Sequence, residues 1–188
     1  APAPPAAFWD TGKVPGENVR GGMGRGPIIA FNIRNLGRLN LAFSAHGKCR
    51  QVLADAIRYA KERRAFGKSI AEFGLIQHKL AEMAVRMYVN ESMIYRIAGH
   101  IQESGQPLLK AAEDFAAECS MIKIFGSETL DYVVDEAVQI HGGYGYHQDY
   151  AVDRAYLDAR INRIFEGTNE IKCLLGTDMR PMRVKRGV

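Results

Sequence analysis

Apolar residues recur at steps of three and four along three long stretches of this chain, and this spacing constrains the fold more than any other feature. The stretches cover roughly residues 27–63, 76–101 and 115–140. Apolar positions at this spacing share one face of an α-helix, and that face must pack against another to leave water. The pattern therefore predicts three long amphipathic helices that bury one another's apolar faces.

Turn signals close each stretch, and two shorter helical patterns follow. "RRAFGKS" ends the first stretch, "ESGQP" the second and "HGGYGY" the third, because Gly and Pro interrupt helices. A short helix is expected over about 150–159 and a last one over about 168–179. Long helices joined by short loops, with no alternation of strands and helices, predict an all-α, up-and-down four-helix bundle.

Three regions of the chain differ in composition, and we expect three kinds of structure. Residues 1–26, rich in Pro and Gly, should form an extended segment; residues 27–180 should form the bundle; and residues 181–188 should form a basic tail. A net charge of +4 gives no strong basic patch, so a nucleic-acid partner is not expected. No apolar run reaches about 18 residues, so we expect no transmembrane segment. The three cysteines have no metal-ligand spacing, so we expect no metal site.

The stretch "RIFEGTNEI" places a carboxylate, Glu166, between an apolar pair and a helix start. Thr168 is a natural N-cap for the last helix, so free backbone N–H groups and the positive helix end would lie next to Glu166. Such a place favours a bound anion or a developing oxyanion. From these residues alone, the alternative is an acid that only caps the helix.

Two loops carry groups suited to a phosphate-bearing ligand. "ERRAFGK" holds Arg63 and Arg64, whose guanidinium groups can fork onto phosphate oxygens. "QIHGGYGY" holds Gln139 and the pair Gly142 and Gly143, whose backbone a ligand can approach closely. The alternatives are a surface arginine pair at a helix C-terminus and a plain glycine stop.

Five motifs occur in one order along the chain: "VPGENV", "LGRLN", "YAKERRAFGKSI", "QIHGGYGY" and "RIFEGTNEI". Through them the chain resembles the C-terminal helical part of the acyl-CoA dehydrogenase family, preceded by the tail of that family's β-domain. The resemblance extends from Val14 to about Leu175. It looks closest to the very-long-chain branch, through "FGLIQHKLAEM" and "KIFGSE".

The resemblance implies an FAD-dependent enzyme that converts a fatty acyl-CoA thioester into a trans-2-enoyl-CoA. In the family a glutamate removes the α-proton while hydride leaves the β-carbon for the flavin. Glu166 matches that base, and Arg38 matches an arginine near it. Some members carry the base in the first helix, beside that arginine. Gly37 stands there in this chain, so the resemblance implies Glu166 as the catalytic base.

Cofactor contacts are also carried over from the resemblance, residue by residue. The implied FAD-binding residues are Arg63, Phe66, Gln139, Gly142, Gly143 and Thr168. In the family, the loop that matches Arg63 and Phe66 contacts the FAD of a neighbouring subunit. Ala65 and Gly74 depart from the family pattern at two further positions that often contact the cofactor. His141 has no implied role and is expected to be an ordinary packed histidine.

Partners follow from the same resemblance. It implies an acyl-CoA substrate, an electron-transfer flavoprotein as electron acceptor, and a homo-oligomer, either a dimer or a tetramer. The expected location is the cytoplasm in a bacterium or the mitochondrial matrix in a eukaryote. Family members are longer than this chain, so we expect it to be part of a larger protein and inactive alone. Two alternatives stay open: a relative of the acyl-CoA oxidases, and a non-catalytic helical assembly module.

Overall fold

A computed structural model describes residues 10–174, and it confirms the all-α helical bundle. Six helices lie in this part of the chain. They are α1 (Gly26–Glu62), α2 (Gly74–Glu103), α3 (Leu108–Asp114), α4 (Ala116–His141), α5 (Ala151–Ala159) and α6, which begins at residue 169 and is described to residue 174. Among residues 10–174, none of the helices combines the length and the hydropathy that a membrane-spanning helix needs.

The three long helices begin and end within a few residues of the positions that the sequence predicts. The short helix α3 was not predicted. It begins directly after Pro107 and ends at Asp114, and Phe115 alone separates it from α4. Residues 10–25 contain one short 3-10 turn at Gly16–Asn18 and are otherwise irregular and exposed. The three-part division of the chain stays a prediction. The expected end of the last helix near residue 179 and the basic tail lie outside the described residues.

A two-residue hairpin joins α1 to α2. Strands β1 (Arg64–Ala65) and β2 (Lys68–Ser69) pair antiparallel, with Arg64 opposite Ser69. The turn residues Phe66 and Gly67 have φ of 52° and 84°, the left-handed values that such tight hairpins require. A non-glycine residue seldom adopts them. The turn therefore holds the Phe66 side chain at the tip, where it is 95% exposed.

The core lies around α4, which packs against α1, α2 and α5. Small side chains on α1 allow α4 to approach closely, and they have almost no exposed surface. They are Ala42, Ala45, Cys49, Ala56 and Ala60. One buried cluster joins all of these except Ala42 to Met83, Val133 and Ala137. A second cluster, around Ile94 and Ile122, lies beside the first half of α1, and Ala42 belongs to it. The closely packed α1 and α4 form the rigid base on which the residues around Glu166 are held.

Candidate active site

Glu166 lies in a sharp turn between α5 and α6. Its φ is +58°, and that of the following Gly167 is +97°, so two successive residues have left-handed backbone conformations. For a residue other than glycine this costs on the order of 1–3 kcal/mol unless the surroundings fix it. The Glu166 side chain is half-buried. Strain of this kind is common at functional sites, which makes the conformation of Glu166 a feature to explain.

The carboxylate of Glu166 lies directly against the backbone of Gly37 on α1. A Cβ atom placed on Gly37 would be 2.6 Å from Oε1 and 3.2 Å from Oε2. The missing side chain at position 37 therefore leaves the space that the carboxylate fills. The structure thus places the Glu166 carboxylate next to Gly37, the position at which, according to the resemblance, some family members carry their base instead.

Arg38 is buried next to this turn and contacts its backbone. Its Nε donates a hydrogen bond to the Glu166 carbonyl oxygen at 3.3 Å, and one terminal nitrogen donates to Asn35 Oδ1 at 2.5 Å. Burial lowers the pKa of Arg38, and the nearby Glu166 partly offsets that effect. The guanidinium thus contributes a fixed positive charge and a restraint on the Glu166 backbone.

Lys123 and Asn169 also belong to this site, although the sequence interpretation did not identify them. The ammonium of Lys123 donates to the Gly167 carbonyl oxygen at 3.0 Å and to Asn169 Oδ1 at 2.6 Å. Asn169 in turn donates to Ser127 Oγ at 3.0 Å. The signal available in the sequence was a lysine four residues after Cys119, on the buried face of α4.

Lys172 adds a further positive charge beneath the turn. It is 6% exposed, and a Cβ atom on Gly167 would come within 2.9 Å of its Nζ. Burial lowers the pKa of Lys172, the nearby Arg38 and Arg34 lower it further, and Glu166 opposes them. Positive charge thus surrounds a single half-buried carboxylate. Such surroundings can stabilise negative charge that develops on a bound molecule.

Thr168 lies where the sequence predicts it, at the start of α6. Its carbonyl oxygen accepts the hydrogen bond of the Lys172 backbone N–H at 3.1 Å, the first such bond of the helix. The free N–H groups of this helix start are close in sequence to Glu166, as expected from the N-cap pattern. The arrangement is compatible with a helix end that faces an anion.

Some of the residues predicted to bind a cofactor meet at a separate cleft of about 460 Å³. The lining residues are Tyr59, Arg63, Ile70, Ile140, His141, Gly142, Gly143, Tyr144 and His147. Gly142 directly follows α4 and has a φ of +60°. The guanidinium of Arg63 lies 5.9 Å from the centre of the Tyr144 ring. The guanidinium of Arg63 beside the Gly142 backbone can bind an anionic ligand.

Two other predicted cofactor residues lie outside the lining of this cleft. Gln139 is exposed near the end of α4, and Phe66 projects from the hairpin tip. His141 is a packed histidine, as expected: it is 6% exposed, stacks on Tyr59 with ring centres 4.2 Å apart, and its Nδ1 lies 2.7 Å from the Ala137 carbonyl oxygen.

The cleft and the Glu166 turn are far apart in one chain. Arg38 lies in the first half of α1, whereas Arg63 follows the last residue of this helix. At about 1.5 Å per residue, the helix separates them by roughly 35–40 Å. The residues predicted to bind the cofactor therefore lie at two separate sites, the Glu166 turn and the cleft at Arg63.

The family whose description is "Acyl-CoA dehydrogenase, C-terminal domain" matches residues 24–178. The chain is 49% identical over 177 residues to a probable acyl-CoA dehydrogenase of Bacillus subtilis, which covers 88% of this chain and 30% of that protein. It is 43% identical over 164 residues to the human mitochondrial very long-chain specific acyl-CoA dehydrogenase, covering 87% of this chain and 24% of that protein.

Solved structures give the same result. An acyl-CoA dehydrogenase from Bacillus anthracis, described as complexed with FAD, has a TM-score of 0.90 and 44% identity, over 93% of this chain and 32% of that one. Butyryl-CoA dehydrogenase from Megasphaera elsdenii has a TM-score of 0.80 and 36% identity, over 88% of this chain and 41% of that one. The chain thus spans less than a third of the length of the two sequence relatives described above.

Proposed function

The chain belongs to the acyl-CoA dehydrogenase family, and on that premise we propose that it is the C-terminal catalytic part of an FAD-dependent acyl-CoA dehydrogenase. The reaction is the α,β-dehydrogenation of a fatty acyl-CoA thioester to a trans-2-enoyl-CoA. We also propose that the helical catalytic bundle begins near residue 27 and that the chain before it belongs to the end of a preceding β-domain. Glu166 is the catalytic base, and Arg38 holds it.

One observation carries the role of Glu166: its carboxylate fits into the space left by the missing side chain at Gly37. The turn is held from α1 by Arg38 and from α4 by Lys123, so the carboxylate has a fixed position. A helix-capping acid needs none of these restraints. A general base does, since proton transfer requires its oxygen within hydrogen-bond reach of the proton.

The residues around Glu166 can perform each task that proton abstraction requires. The carboxylate takes the α-proton of the thioester. Electron density then moves toward the thioester oxygen, and positive charge from Arg38 and Lys172, with the start of α6, favours that movement. A bound FAD would supply the acceptor for the hydride that leaves the β-carbon.

The chain's own residues fit the anionic part of FAD. The cleft between Arg63 and the Gly142–Gly143 backbone is open, and a Cβ atom on either glycine would meet nothing within 4 Å. A diphosphate can therefore approach the backbone there and accept hydrogen bonds from the guanidinium of Arg63. Phe66, Gln139 and Thr168 are proposed as further contacts.

We infer that the complete enzyme is a homo-oligomer. Arg38 and Arg63 are separated by most of α1, so the cleft at Arg63 belongs to the cofactor of a neighbouring subunit rather than to the one beside Glu166. A related protein of Acetobacterium woodii is described as a subunit of a caffeyl-CoA reductase–Etf complex. An electron-transfer flavoprotein is accordingly proposed as the electron acceptor. The proposed location is the cytoplasm in a bacterium or the mitochondrial matrix in a eukaryote.

Anaerobic flavin reduction tests the proposed function. The complete protein that contains this chain is loaded with FAD and mixed with saturated acyl-CoA thioesters of increasing chain length. Rapid bleaching of the flavin absorbance by one range of chain lengths is expected, with formation of the 2-enoyl-CoA. Steady hydrogen peroxide production in air would instead indicate an oxidase, and no bleaching by any acyl-CoA would contradict dehydrogenation.

A further inference from the structure

The side chain of Lys123, in the first third of α4, has no exposed surface. Its ammonium makes two hydrogen bonds, and both acceptors belong to the residues just after Glu166. They are the Gly167 carbonyl oxygen at 3.0 Å and Asn169 Oδ1 at 2.6 Å. A buried ammonium is costly, so its contacts to this turn call for an explanation.

Asn169 extends the same connection. It is 3% exposed, and its amide donates to Ser127 Oγ at 3.0 Å and to Glu128 Oε1 at 3.3 Å, both on α4. Its oxygen accepts from Lys123. One residue of α6 is thus joined to three side chains of α4, which fixes the position of the helix start relative to the core.

We propose that Lys123 is a positioning residue for Glu166: its ammonium holds the turn against α4, so that the Glu166 carboxylate stays against Gly37. The proposal rests on the proposed role of Glu166 as the base. Arg38 restrains the Glu166 carbonyl oxygen from the opposite helix, α1. Lys123 restrains the next carbonyl oxygen, that of Gly167. Arg38 and Lys123 together fix the two successive peptide groups that contain the carbonyl groups of Glu166 and Gly167.

This restraint matters because the conformation of Glu166 is not one that an isolated chain favours. Its φ of +58° must be maintained by contacts on either side of the residue. A displacement of about 1 Å at a reacting group can lower the rate about 10²-fold. Loss of the Lys123 contacts should therefore affect the chemical step much more than substrate binding.

The charge on Lys123 provides a second measurable property. Burial, followed by the nearby Lys172, lowers its pKa to about 8. The charged groups that face it are Lys172 and Glu170 on α6, Arg38 on α1 and Glu128 on α4. Above that pH the ammonium loses its proton and its hydrogen bonds to the turn weaken, because charge-assisted bonds are about twice as strong as neutral ones. The rate of flavin reduction should decline there.

The test compares Lys123→Met with wild type in the complete, FAD-loaded protein. Lys110→Met is the control, since Lys110 is an exposed lysine of α3 whose ion pairs are with Glu113 and Asp114. Lys123→Met should lower kcat about 10²-fold per bound flavin, with KM changed less than about threefold, and should lose the alkaline decline near pH 8. The control should match wild type. An unchanged kcat with an unchanged pH profile would overturn the proposal.

Two further variants keep the result decisive. Asn169→Ala removes one acceptor and leaves the ammonium, so kcat should fall about tenfold, roughly the effect of losing one hydrogen bond of ordinary strength. If Lys123→Met does not fold, Asn169→Ala alone tests the positioning role of Lys123. A wild-type kcat for Asn169→Ala would refute that role. Glu166→Gln tests the underlying function separately. If it is inactive while both other variants keep full activity, the base assignment stands and only the role of Lys123 is wrong.

Discussion

The carboxylate of Glu166 occupies the space that a side chain at position 37 would fill. A Cβ atom on Gly37 would lie 2.6 Å from Oε1 and 2.8 Å from Cδ, closer than real Cβ contacts allow. The glycine of α1 and the acid of the turn before α6 are 129 positions apart in the sequence, as their numbers show. The two positions are therefore coupled: a side chain at 37 and the present position of the carboxylate exclude each other.

Gly37→Ala should displace the Glu166 carboxylate and slow the reaction. We expect the rate of flavin reduction to fall at least about 10²-fold, because the base moves out of reach of the proton. FAD content should stay unchanged, and stopped-flow reduction by the preferred acyl-CoA measures the effect.

Gly47→Ala is the matched control for that experiment. Gly47 lies in the same helix, and a Cβ atom there would meet nothing within 4 Å. This variant should keep the wild-type rate and gain about 0.5–1 kcal/mol in the free energy of unfolding, since Ala favours a helix over Gly. Equal rates for both variants would show that the space at Gly37 is irrelevant to catalysis.

Glu166→Gln should remove the base while preserving shape and polarity. General base catalysis typically contributes about 10²–10⁴-fold, so flavin reduction should slow by at least that factor. FAD content should not change. Reduction at the wild-type rate would mean that another group takes the proton.

Sequence reasoning reached the fold because α1, α2 and α4 are long and strongly periodic. It could not find α3, which has only seven residues and follows a proline-containing loop. The neighbourhood of Glu166 and Arg38 came from the resemblance, since periodicity does not bring residues of distant segments together. Lys123 went unnoticed because a lysine in a helix is ordinarily exposed. Only the three-dimensional contacts with Gly167 and Asn169 reveal its place in the site.

Arg63→Ala should weaken FAD retention in the assembled protein. The guanidinium lines the cleft beside Gly142 and Gly143, so its removal takes away a charge-assisted contact to a diphosphate. A loss of about 1.5–3 kcal/mol corresponds to roughly 10–100-fold weaker binding. Flavin released during gel filtration measures it.

Arg64→Ala is the comparison for the Arg63 experiment. The Arg64 side chain donates to the Gly67 carbonyl oxygen at 2.9 Å and so closes its own hairpin instead of lining the cleft. The Arg64→Ala protein should therefore retain more FAD than the Arg63→Ala protein. Equal retention by both variants and wild type would mean that Arg63 is an ordinary surface residue.

Gly145→Ala should destabilise the fold near the end of α4. A Cβ atom there would lie 2.5 Å from the Val138 carbonyl oxygen and 2.9 Å from its Cα, and backbone atoms cannot move aside easily. We expect a loss of about 1–3 kcal/mol in the free energy of unfolding. Gly99→Ala on α2, where a Cβ atom meets nothing within 4 Å, should be neutral or stabilising. Urea unfolding of both variants measures the contrast, and an equal stability of the two would contradict the crowding at Gly145.

The thiol of Cys49 should make the protein less stable at alkaline pH. Burial raises its pKa from 9.0 to about 12, so the folded protein holds this proton when the unfolded chain has lost it. The stabilising contribution is complete below pH 9 and is lost as the pH rises from 9 toward 12. The decline approaches about 1.4 kcal/mol per pH unit for one such group.

Cys49→Ala should therefore show a shallower fall in the free energy of unfolding between about pH 8.5 and 10.5, the two pH units around the ordinary thiol pKa. At pH 7 this variant should be less stable than wild type, because a buried sulfur is lost. The exposed Cys173 provides the control: Cys173→Ala should keep the wild-type slope. Lys123 acts in the opposite direction, since its pKa is lowered from 10.5 to about 8, and stability gains as it loses its proton. That gain is common to all three proteins and cancels in the comparison. Urea unfolding of each protein at a series of pH values measures these slopes. If the free energy of unfolding of Cys49→Ala and of wild type fell equally with pH, the prediction would be wrong.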